Sequence, residues 1–374
     1  MTRVRSIELR MIGLPLVRPF RTSFGEETDK ECILVRVETR VGAVGWGECV
    51  TGREPDFSGE FNEGAWLVIR DFLAPALLAA GEADVEDLED LDRVFGGVRS
   101  NPMAKAALID AFVDAALRER GESLAGHLGA ERERVVCGVS VGITPTTDEL
   151  LEQVDGYLDE GYRRIKLKIE PGTDVERVRA VRDAHPDVPL SVDANAAYRP
   201  QDAGVFEALD ACDLLMVEQP LHHEDLVEHA RLQRRISTPI CLDESIRSPA
   251  DAAAAIELGA CRTVNIKQGR VGGVVAAKRV HDVCAGRDIP VWCGGMLETG
   301  VGRATNLALA ALPGFTLPGD TSASRRYFHD DITEPFELAS DGTMAVPTGP
   351  GIGVAPRPDR LAACTRRAER LEKE

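Results

Sequence analysis

The sequence predicts an α/β protein in which a modified TIM barrel follows a smaller N-terminal α+β unit. From about residue 135 onward, short β-branched runs alternate with amphipathic helical segments at a near-constant interval. Several of these strands end in a polar side chain that could take part in catalysis. This arrangement is typical of the C-terminal rim of a barrel. A chain of 374 residues is long enough for one barrel and one companion domain.

Residues 1–130 lack the βα repeat and predict the α+β unit. Residues 11–17 and 33–37 are typical of strands, and residues 42–47 supply turn chemistry suited to a hairpin. Two segments with apolar residues at helical spacing follow, at 65–80 and 103–120. The mixture predicts a small sheet covered by helices.

Seven candidate strands are visible in the repeat, each separated from the next by a helical segment. Parallel strands need such crossovers, and a repeating βα chain either opens into a doubly wound sheet or closes into a barrel. Polar residues at many strand ends favour the barrel over a single crevice. The candidate strands are residues 139–141, 165–169, 190–193, 214–218, 240–243, 263–267 and 291–293.

Composition argues against several classes of protein. A formal net charge of −18 argues against nucleic acid as a partner, since phosphate backbones require clustered Lys and Arg. No uncharged apolar stretch reaches the roughly 18 residues that a membrane span needs. The nine cysteines are odd in number and never spaced as Cys-x-x-Cys, which favours reduced, buried thiols in the cytoplasm. The Gly-rich residues 269–273 lack the spacing of a nucleotide-binding motif.

Three carboxylates, Asp193, Glu218 and Asp243, each end a candidate strand at intervals of 25 residues. One βα unit per interval brings successive strand ends side by side, so these side chains are expected to converge. Any one of them alone is more often a helix N-cap, but three in step favour a site for Mg²⁺, or for Mn²⁺ or a similar ion in its place. Asn195 shares a strand face with Asp193 and is expected to support the site.

Lys166 and Lys168 are separated by one residue, so strand alternation points both ammonium groups to the same face, the barrel interior. Lysine is rarely buried without a function, and two close cations beside a metal lower the pKa of at least one amine. That amine is then available as a general base. The alternative is that both side chains extend to solvent at a strand edge.

Lys267 ends the strand that follows Asp243 by 24 residues, which places it across the barrel from the other two lysines. Two amines on opposite faces of a planar enediolate allow proton removal on one side and delivery on the other, or an elimination with the second lysine stabilising charge. Arg270 either lowers the pKa of Lys267 or pairs with a surface acid. These residues predict proton abstraction next to a carboxylate, assisted by a metal acting as Lewis acid.

The order of these residues, together with four longer motifs, resembles the o-succinylbenzoate synthase and N-acylamino acid (N-succinylamino acid) racemase family. This family is part of the muconate-lactonizing subgroup of the enolase superfamily, and the resemblance extends over essentially the whole chain. The short motifs are Lys166-Leu167-Lys168, Asp193-Ala194-Asn195, Glu218-Gln219-Pro220, Asp243-Glu244-Ser245 and Lys267. The longer motifs are residues 19–25, 137–142, 294–300 and 318–324.

The resemblance implies a particular domain organisation. An α+β capping domain at 1–130 carries a loop at 19–25 that closes over the substrate, and a (β/α)7β barrel follows at 131–325. The segment 326–374 then returns to the cap. The resemblance also implies a homo-oligomer, and a small-molecule carboxylate as substrate.

The resemblance further assigns roles to individual residues. Asp193, Glu218 and Asp243 bind Mg²⁺, Lys168 and Lys267 are the acid/base pair, and Lys166 supports the substrate carboxylate. Seven further side chains are expected to contact the substrate or to support the site: Phe24, Ser140, Asn195, Gln219, Glu244, Arg270 and Glu298.

Two reactions of the family share the same first step. One is the syn dehydration of a cyclohexadiene carboxylate to o-succinylbenzoate for menaquinone synthesis, and the other is racemisation of an N-acylated amino acid. Arg270 matches the motif of members with racemase activity, while Gln268 replaces the usual Pro. Dipeptide epimerisation and muconate cycloisomerisation use the same lysines and metal and are the alternatives. A non-catalytic barrel protein is a further alternative, against which the retained lysines and acids argue.

Overall fold

The computed structural model describes residues 2–80, 88–172 and 174–372. Their strands form a four-stranded antiparallel sheet, a seven-stranded parallel sheet and a two-stranded antiparallel ribbon. In chain order the strands are β1 (Val4–Thr22), β2 (Gly25–Thr39), β3 (Val44–Cys49), β4 (Arg134–Val136), β5 (Val139–Val141), β6 (Ile165–Lys168), β7 (Leu190–Asp193), β8 (Val217–Glu218), β9 (Ile240–Leu242), β10 (Thr263–Ile266), β11 (Val291–Cys293), β12 (Thr343–Ala345) and β13 (Thr365–Glu372).

The helices cover the outer faces of both large sheets. A π-helical turn at Ile69–Leu73 joins the first two, so residues 62–79 form one continuous helical stretch. The helices are α1 (Asn62–Val68), α2 (Ala74–Ala79), α3 (Leu88–Phe95), α4 (Pro102–Arg120), α5 (Leu124–Leu128), α6 (Thr147–Asp159), α7 (Asp174–Ala184), α8 (Ala203–Leu209), α9 (Leu226–Gln233), α10 (Pro249–Leu258), α11 (Gln268–Val271), α12 (Val274–Ala285), α13 (Gly300–Ala310) and α14 (Pro358–Cys364).

The antiparallel sheet has the order β13-β1-β2-β3 and forms the cap. Helix α4 packs directly on β3 because both surfaces are made of small residues. A Cβ atom on Gly47 would lie 2.0 Å from the Ala107 carbonyl oxygen, and one on Gly45 would lie 2.1 Å from that of Ala111. The absence of side chains at the two glycines therefore sets how closely the helix approaches the sheet. Gly121, in the left-handed conformation with φ +71°, ends α4.

The parallel sheet runs in sequential order from β5 to β11. Residues 315–319 close it: Phe315 bridges to Val291 of β11, and Gly319 bridges to Cys137, just before β5. The Gly138 N–H donates to the Gly319 carbonyl over 2.7 Å, and the Asp320 N–H donates to the Cys293 carbonyl over 2.8 Å. This closing segment is the eighth stave of a (β/α)7β barrel.

The predicted fold class is confirmed, and all seven predicted strands are present. The strand predicted at 214–218 is shorter, at Val217–Glu218. Helix α13 follows the last predicted strand and was not predicted, and Gln268 begins the short helix α11. All nine cysteines are buried and free. In the part of the chain that the structure describes, no helix is long and apolar enough to cross a membrane.

The C-terminal segment pairs with earlier strands at two places. Strand β12 pairs with β4, next to the barrel, and β13 then pairs antiparallel with β1 of the cap, from Glu372 opposite Ser6 to Thr365 opposite Ile12. The final strand is therefore an edge of the cap sheet. The domain boundaries after residues 130 and 325 stay predictions.

Candidate active site

A cavity lies between the cap and the C-terminal ends of the barrel strands. Four lysines reach it, three from the barrel and Lys30 from β2 of the cap. The barrel lining is Ser140, Lys166, Lys168, Asn195, Lys267, Gly295, Met296, Leu297, Asp320 and Tyr327, and the cap lining is Phe20, Thr22, Phe24, Glu27, Lys30, Val50, Thr51, Gly52, Glu54, Asp56, Phe57, Ser58, Glu60 and Met103. Cap and barrel thus both contribute walls, and opposed cations face the space between them.

The three predicted carboxylates lie side by side at the strand ends, as their spacing implied. Asp193 is directly opposite Glu218 in the register of β7 and β8, and Asp243 follows the end of the neighbouring strand β9. Each is at most 1% exposed. Three buried carboxylates on adjacent staves need compensating positive charge, since an isolated buried charge is strongly disfavoured.

Lys166 supplies part of that charge and uses all three of its N–H donors on carboxylates. Its ammonium lies 2.8 Å from Glu218 Oε2, 2.7 Å from Asp320 Oδ2 and 3.2 Å from Asp193 Oδ2. An ammonium has three donors and no acceptor, so Lys166 has no donor left for a ligand in this arrangement.

Lys168 is placed differently on the same strand face. Its ammonium donates to Asp193 Oδ2 and to Asn195 Oδ1, each over 2.7 Å, and it is part of the cavity wall. The Asn195 amide in turn donates to Glu244 Oε1 over 2.9 Å. One donor of Lys168 is therefore left for the cavity, and Asn195 holds the amine in place.

Lys267 directly follows β10 and faces these groups from four staves around the barrel. Its ammonium donates to Asp243 Oδ2 over 2.6 Å and lies 4.7 Å from the centre of the Phe57 ring. Arg270 is buried and pairs with the other oxygen of Asp243, while its remaining N–H groups donate to the carbonyls of Ile246 and Asn265. The alternative in which Arg270 pairs with a surface acid is wrong, because its partner is fully buried.

The pKa values at the site reflect this dense charge network. Burial, reinforced by the neighbouring charge of Asp193, raises the pKa of Glu218 to about 8. Burial alone lowers the pKa of Lys166, but the charges of Asp320, Glu218 and Asp193 outweigh it, and the net pKa lies well above its usual value. The pKa of Lys267 is also raised, because Asp243 and Glu218 outweigh burial and Arg270. Arg270 acts in the predicted direction, but the net shift is upward.

The predicted loop at 19–25 is the tip of the β1–β2 hairpin and lies on the barrel rim. The Ser23 hydroxyl donates to the Ala194 carbonyl over 3.2 Å, and Arg21 forms an ion pair of 3.2 Å with Glu170. Phe24 is 36% exposed and its ring centre lies 6.2 Å from that of Phe57. The hairpin tip thus covers one side of the cavity.

The remaining predicted residues lie around the site in different ways. Ser140 lines the cavity with a hydroxyl that has no partner. The Gln219 side chain accepts from the N–H groups of Asp243 and Ser245 over 3.0 and 3.2 Å, so it ties β8 to the end of β9. Glu298 was expected to contact the substrate or support the site, but it is buried and is not among the residues that line the cavity; its side chain lies against Gly302.

Sequence reasoning did not single out three side chains that shape the site, Asn265, Arg164 and Phe57. Asn265 donates to Glu218 Oε1 over 2.7 Å, and Arg164 donates to Asp320 Oδ1 over 2.7 Å. Asn265 is two residues before Lys267 on the same strand face, so strand alternation would have indicated it. Nothing local indicates Phe57, because it reaches Lys267 from a loop of the cap.

The donor set fits a divalent cation of the magnesium type. The three carboxylates offer hard oxygen ligands from neighbouring strands, which such a cation accepts. Ammonium and guanidinium groups now occupy several of these oxygens, and among the described residues no three acidic, His or Cys side chains stand as a ready-made metal site. Binding of a cation would therefore require some of these ion pairs to open.

Comparison with known proteins agrees with this architecture. Residues 6–129 match the family model for the mandelate racemase / muconate lactonizing enzyme N-terminal domain, and residues 149–360 match the enolase C-terminal domain-like model. An N-succinylamino acid racemase from Amycolatopsis sp is 57% identical over 97% of this chain and 98% of its own. An o-succinylbenzoate synthase from Geobacillus stearothermophilus is 50% identical over 94% and 92%. A member of the enolase superfamily from Listeria innocua has a TM-score of 0.95 at 41% identity, covering 100% of both chains.

Fold and site together define a barrel enzyme with a capping domain, in which lysines face each other above strand-end carboxylates. The chain belongs to the enolase superfamily and is an enzyme of the lyase and isomerase kind within it. Members of this superfamily combine a Lys or His base with Mg²⁺, and lysines that face strand-end carboxylates fit that chemistry.

Proposed function

We propose that this enzyme removes the proton α to a substrate carboxylate and forms an enediolate, with Lys168 and Lys267 as the acid/base pair. The observation that carries the proposal is that both ammonium groups line one cavity from opposite staves of the barrel. A planar enediolate held between them exposes one face to each amine. General acid–base catalysis requires this placement within reach of the transferred proton.

The hydrogen bonds support different roles for the three lysines. Lys166 uses its three donors on carboxylates and has a raised pKa, so it serves as a fixed cation near the substrate carboxylate. Lys267 lines the cavity from one side and can exchange a proton with that face of the substrate. Lys168 can do the same on the opposite face, so each lysine serves as the base for one enantiomer of a racemised substrate.

We propose that Asp193, Glu218 and Asp243 hold Mg²⁺, for which Mn²⁺ can substitute. Bound there, the metal would act as a Lewis acid that stabilises the negative charge gained by the substrate carboxylate. Asn265 orients the Glu218 carboxylate, Gln219 fixes the backbone at Asp243, and Asn195 holds the neighbouring amine of Lys168. The cap excludes water by covering the cavity with the 19–25 hairpin and Phe57.

Two reactions follow from the same first step, and we propose that the enzyme catalyses both. In racemisation of an N-succinylamino acid, one lysine takes the α proton and the other returns a proton to the opposite face. In o-succinylbenzoate synthesis, the α proton and the hydroxide leave from the same face of the substrate and combine as water. The lysine on the opposite face stabilises the negative charge of the enediolate. We propose the racemase as a physiological role beside menaquinone synthesis, because Arg270 matches the motif of family members with racemase activity.

A substrate panel tests this proposal with the purified enzyme and Mg²⁺ in deuterated water. N-Succinylamino acids are expected to incorporate deuterium at the α carbon and to racemise, and the cyclohexadiene carboxylate is expected to lose water. Exclusive activity on dipeptides or on muconate would contradict the assignment. The cytoplasmic location and the homo-oligomer stay predictions, the second of which light scattering of the purified enzyme tests.

A further inference from the structure

The closing segment of the barrel carries an acid that contacts the site without belonging to the proposed metal ligands. Asp320 Oδ2 lies 2.7 Å from the Lys166 ammonium, closer than Asp193 Oδ2 at 3.2 Å or Glu218 Oε2 at 2.8 Å. The other two acceptors of Lys166 are proposed metal ligands. Asp320 is therefore the one anionic partner of Lys166 that a bound cation would leave in place.

Asp320 is itself held on its other side by a buried arginine. Arg164 Nη2 donates to Asp320 Oδ1 over 2.7 Å and to the Pro318 carbonyl over 3.0 Å. Arg164 is 1% exposed, and the Asp320 backbone N–H is fixed to the Cys293 carbonyl of β11. A carboxylate fixed by a buried guanidinium and by its own backbone can hold an ammonium at a defined point.

Trp292 supports the same pair of cations from one side. The Arg164 guanidinium lies 5.1 Å and the Lys166 ammonium 4.8 Å from the centre of its ring. The ring is fixed by an indole N–H that donates to Cys241 Sγ over 3.2 Å. Lys166 thus contacts an aromatic face and the Asp320 carboxylate in addition to the two strand-end acids Asp193 and Glu218.

We propose that Asp320 is a positioning residue, which together with Arg164 gives the Lys166 ammonium an anionic partner outside the proposed metal ligands, so that a divalent cation can displace this ammonium from Asp193 and Glu218. An ammonium and a metal ion compete for the same carboxylate oxygens. Without the charge of Asp320, Lys166 keeps only the two proposed metal ligands as anionic partners, and the competition shifts against the metal. This inference rests on the proposed metal-binding function of the site.

Direct titration with Mn²⁺ tests the proposal without substrate, for example by electron paramagnetic resonance of the free ion. Asp320→Asn removes the charge but preserves the shape of the side chain. Its dissociation constant for Mn²⁺ is expected to rise about tenfold, within the range measured for contacts to charged groups. In a Lys166→Met background the same change is expected to alter the constant less than about twofold, because the competing ammonium is absent.

Asp114→Asn is the matched control, since Asp114 is another buried acid that pairs with an arginine, in the cap. It is expected to leave Mn²⁺ affinity unchanged, which separates positioning from a general loss of stability. Should Asp320→Asn fail to fold, Arg164→Lys, tested in the same two backgrounds, takes its place. It keeps a cation but loses the two-point hold on Asp320 and Pro318, so weaker Mn²⁺ binding is expected only where Lys166 is present.

Two results would overturn the positioning role. One is an unchanged Mn²⁺ dissociation constant in Asp320→Asn, and the other is an equal loss in the presence and absence of Lys166. A wild-type enzyme that binds no Mn²⁺ at all would instead overturn the metal assignment and this inference with it. The wild-type titration therefore distinguishes failure of the proposed function from failure of the positioning role alone.

Discussion

The Lys168 ammonium donates a hydrogen bond to Asn195 Oδ1 over 2.7 Å, and the Asn195 amide donates in turn to Glu244 Oε1 over 2.9 Å. The amine proposed as base is thus held by an amide that is itself anchored. Asn195 has a φ of 44°, in the left-handed region that Asn and Gly tolerate best. Its side chain can therefore be removed with little backbone strain by substitution with glycine.

We predict that Asn195→Gly lowers kcat/KM for α-proton exchange about tenfold, the usual scale for losing a hydrogen bond to a charged group. The reason is a loosely held Lys168, so kcat should fall more than KM rises. Steady-state kinetics with an N-succinylamino acid measure both constants. Unchanged kcat in this variant would show that the amide does not hold the base.

Phe57 is predicted to stabilise the Lys267 ammonium, 4.7 Å from its ring centre. Phe57→Leu keeps an apolar side chain but loses the electron-rich ring face. We expect kcat/KM to fall about five- to thirtyfold, since a desolvated cation–π contact is worth about 1–2 kcal/mol. Phe72→Leu, at an exposed site on the cap, is the control and should leave kcat/KM unchanged. Equal rates in both variants would contradict a role for Phe57.

Asp110 makes stability depend on pH. Its Oδ1 accepts from the Val274 N–H at the start of α12 over 2.8 Å, while its buried Oδ2 has no partner. Burial, with a smaller contribution from Asp114, raises the pKa of Asp110 to about 7 from an ordinary 3.8. The folded state therefore binds this proton more tightly than the unfolded chain, and the free energy of unfolding falls as pH rises between these values.

We predict that Asp110→Asn removes much of this pH dependence, because the amide oxygen still accepts from Val274 but cannot ionise. The variant should be more stable than wild type at pH 8, by a few kcal/mol, and most of that advantage should be gone at pH 5. Urea unfolding at the two pH values measures the difference. Parallel pH profiles for variant and wild type would contradict the assignment.

Gly47 is predicted to be essential for the packing of α4 on the cap sheet. A Cβ atom there would lie 2.0 Å from the Ala107 carbonyl oxygen. Relieving this clash would require the backbone of helix α4 to move away from the sheet. Gly47→Ala is expected to cost about 1–3 kcal/mol of unfolding free energy. Gly59→Ala, where an added Cβ meets nothing within 4 Å, is the matched control for thermal unfolding. Equal stability of the two variants would contradict this packing.

The sequence predicted the barrel and the convergence of its acids because both follow from one regular interval. Each βα unit advances the chain by one stave, so Asp193 and Glu218 meet in register in the parallel sheet. The eighth stave was not visible in the residues alone. It contains Pro318 and Gly319 and has no run of β-branched residues, so its sequence gives no strand signal. In the structure it forms isolated bridges rather than a regular strand.

The partners of the site residues were harder to predict than the residues themselves. Lys30 and Phe57 reach the cavity from the cap, and no local pattern reveals a contact between two domains. The pKa values of Lys166 and Lys267 depend on how many carboxylates surround each amine, and only the packed barrel determines that number. Sequence spacing therefore predicts which chemistry is assembled, and tertiary structure determines how its charges balance.

The most direct test follows deuterium exchange at the α carbon of each pure enantiomer of an N-succinylamino acid, in Lys168→Ala and in Lys267→Ala. If the two amines act on opposite faces, each variant should lose exchange with a different enantiomer, while wild type exchanges both. Circular dichroism checks that the variants are folded. Exchange of both enantiomers in either variant, or loss of the same enantiomer in both, would contradict the two-face arrangement.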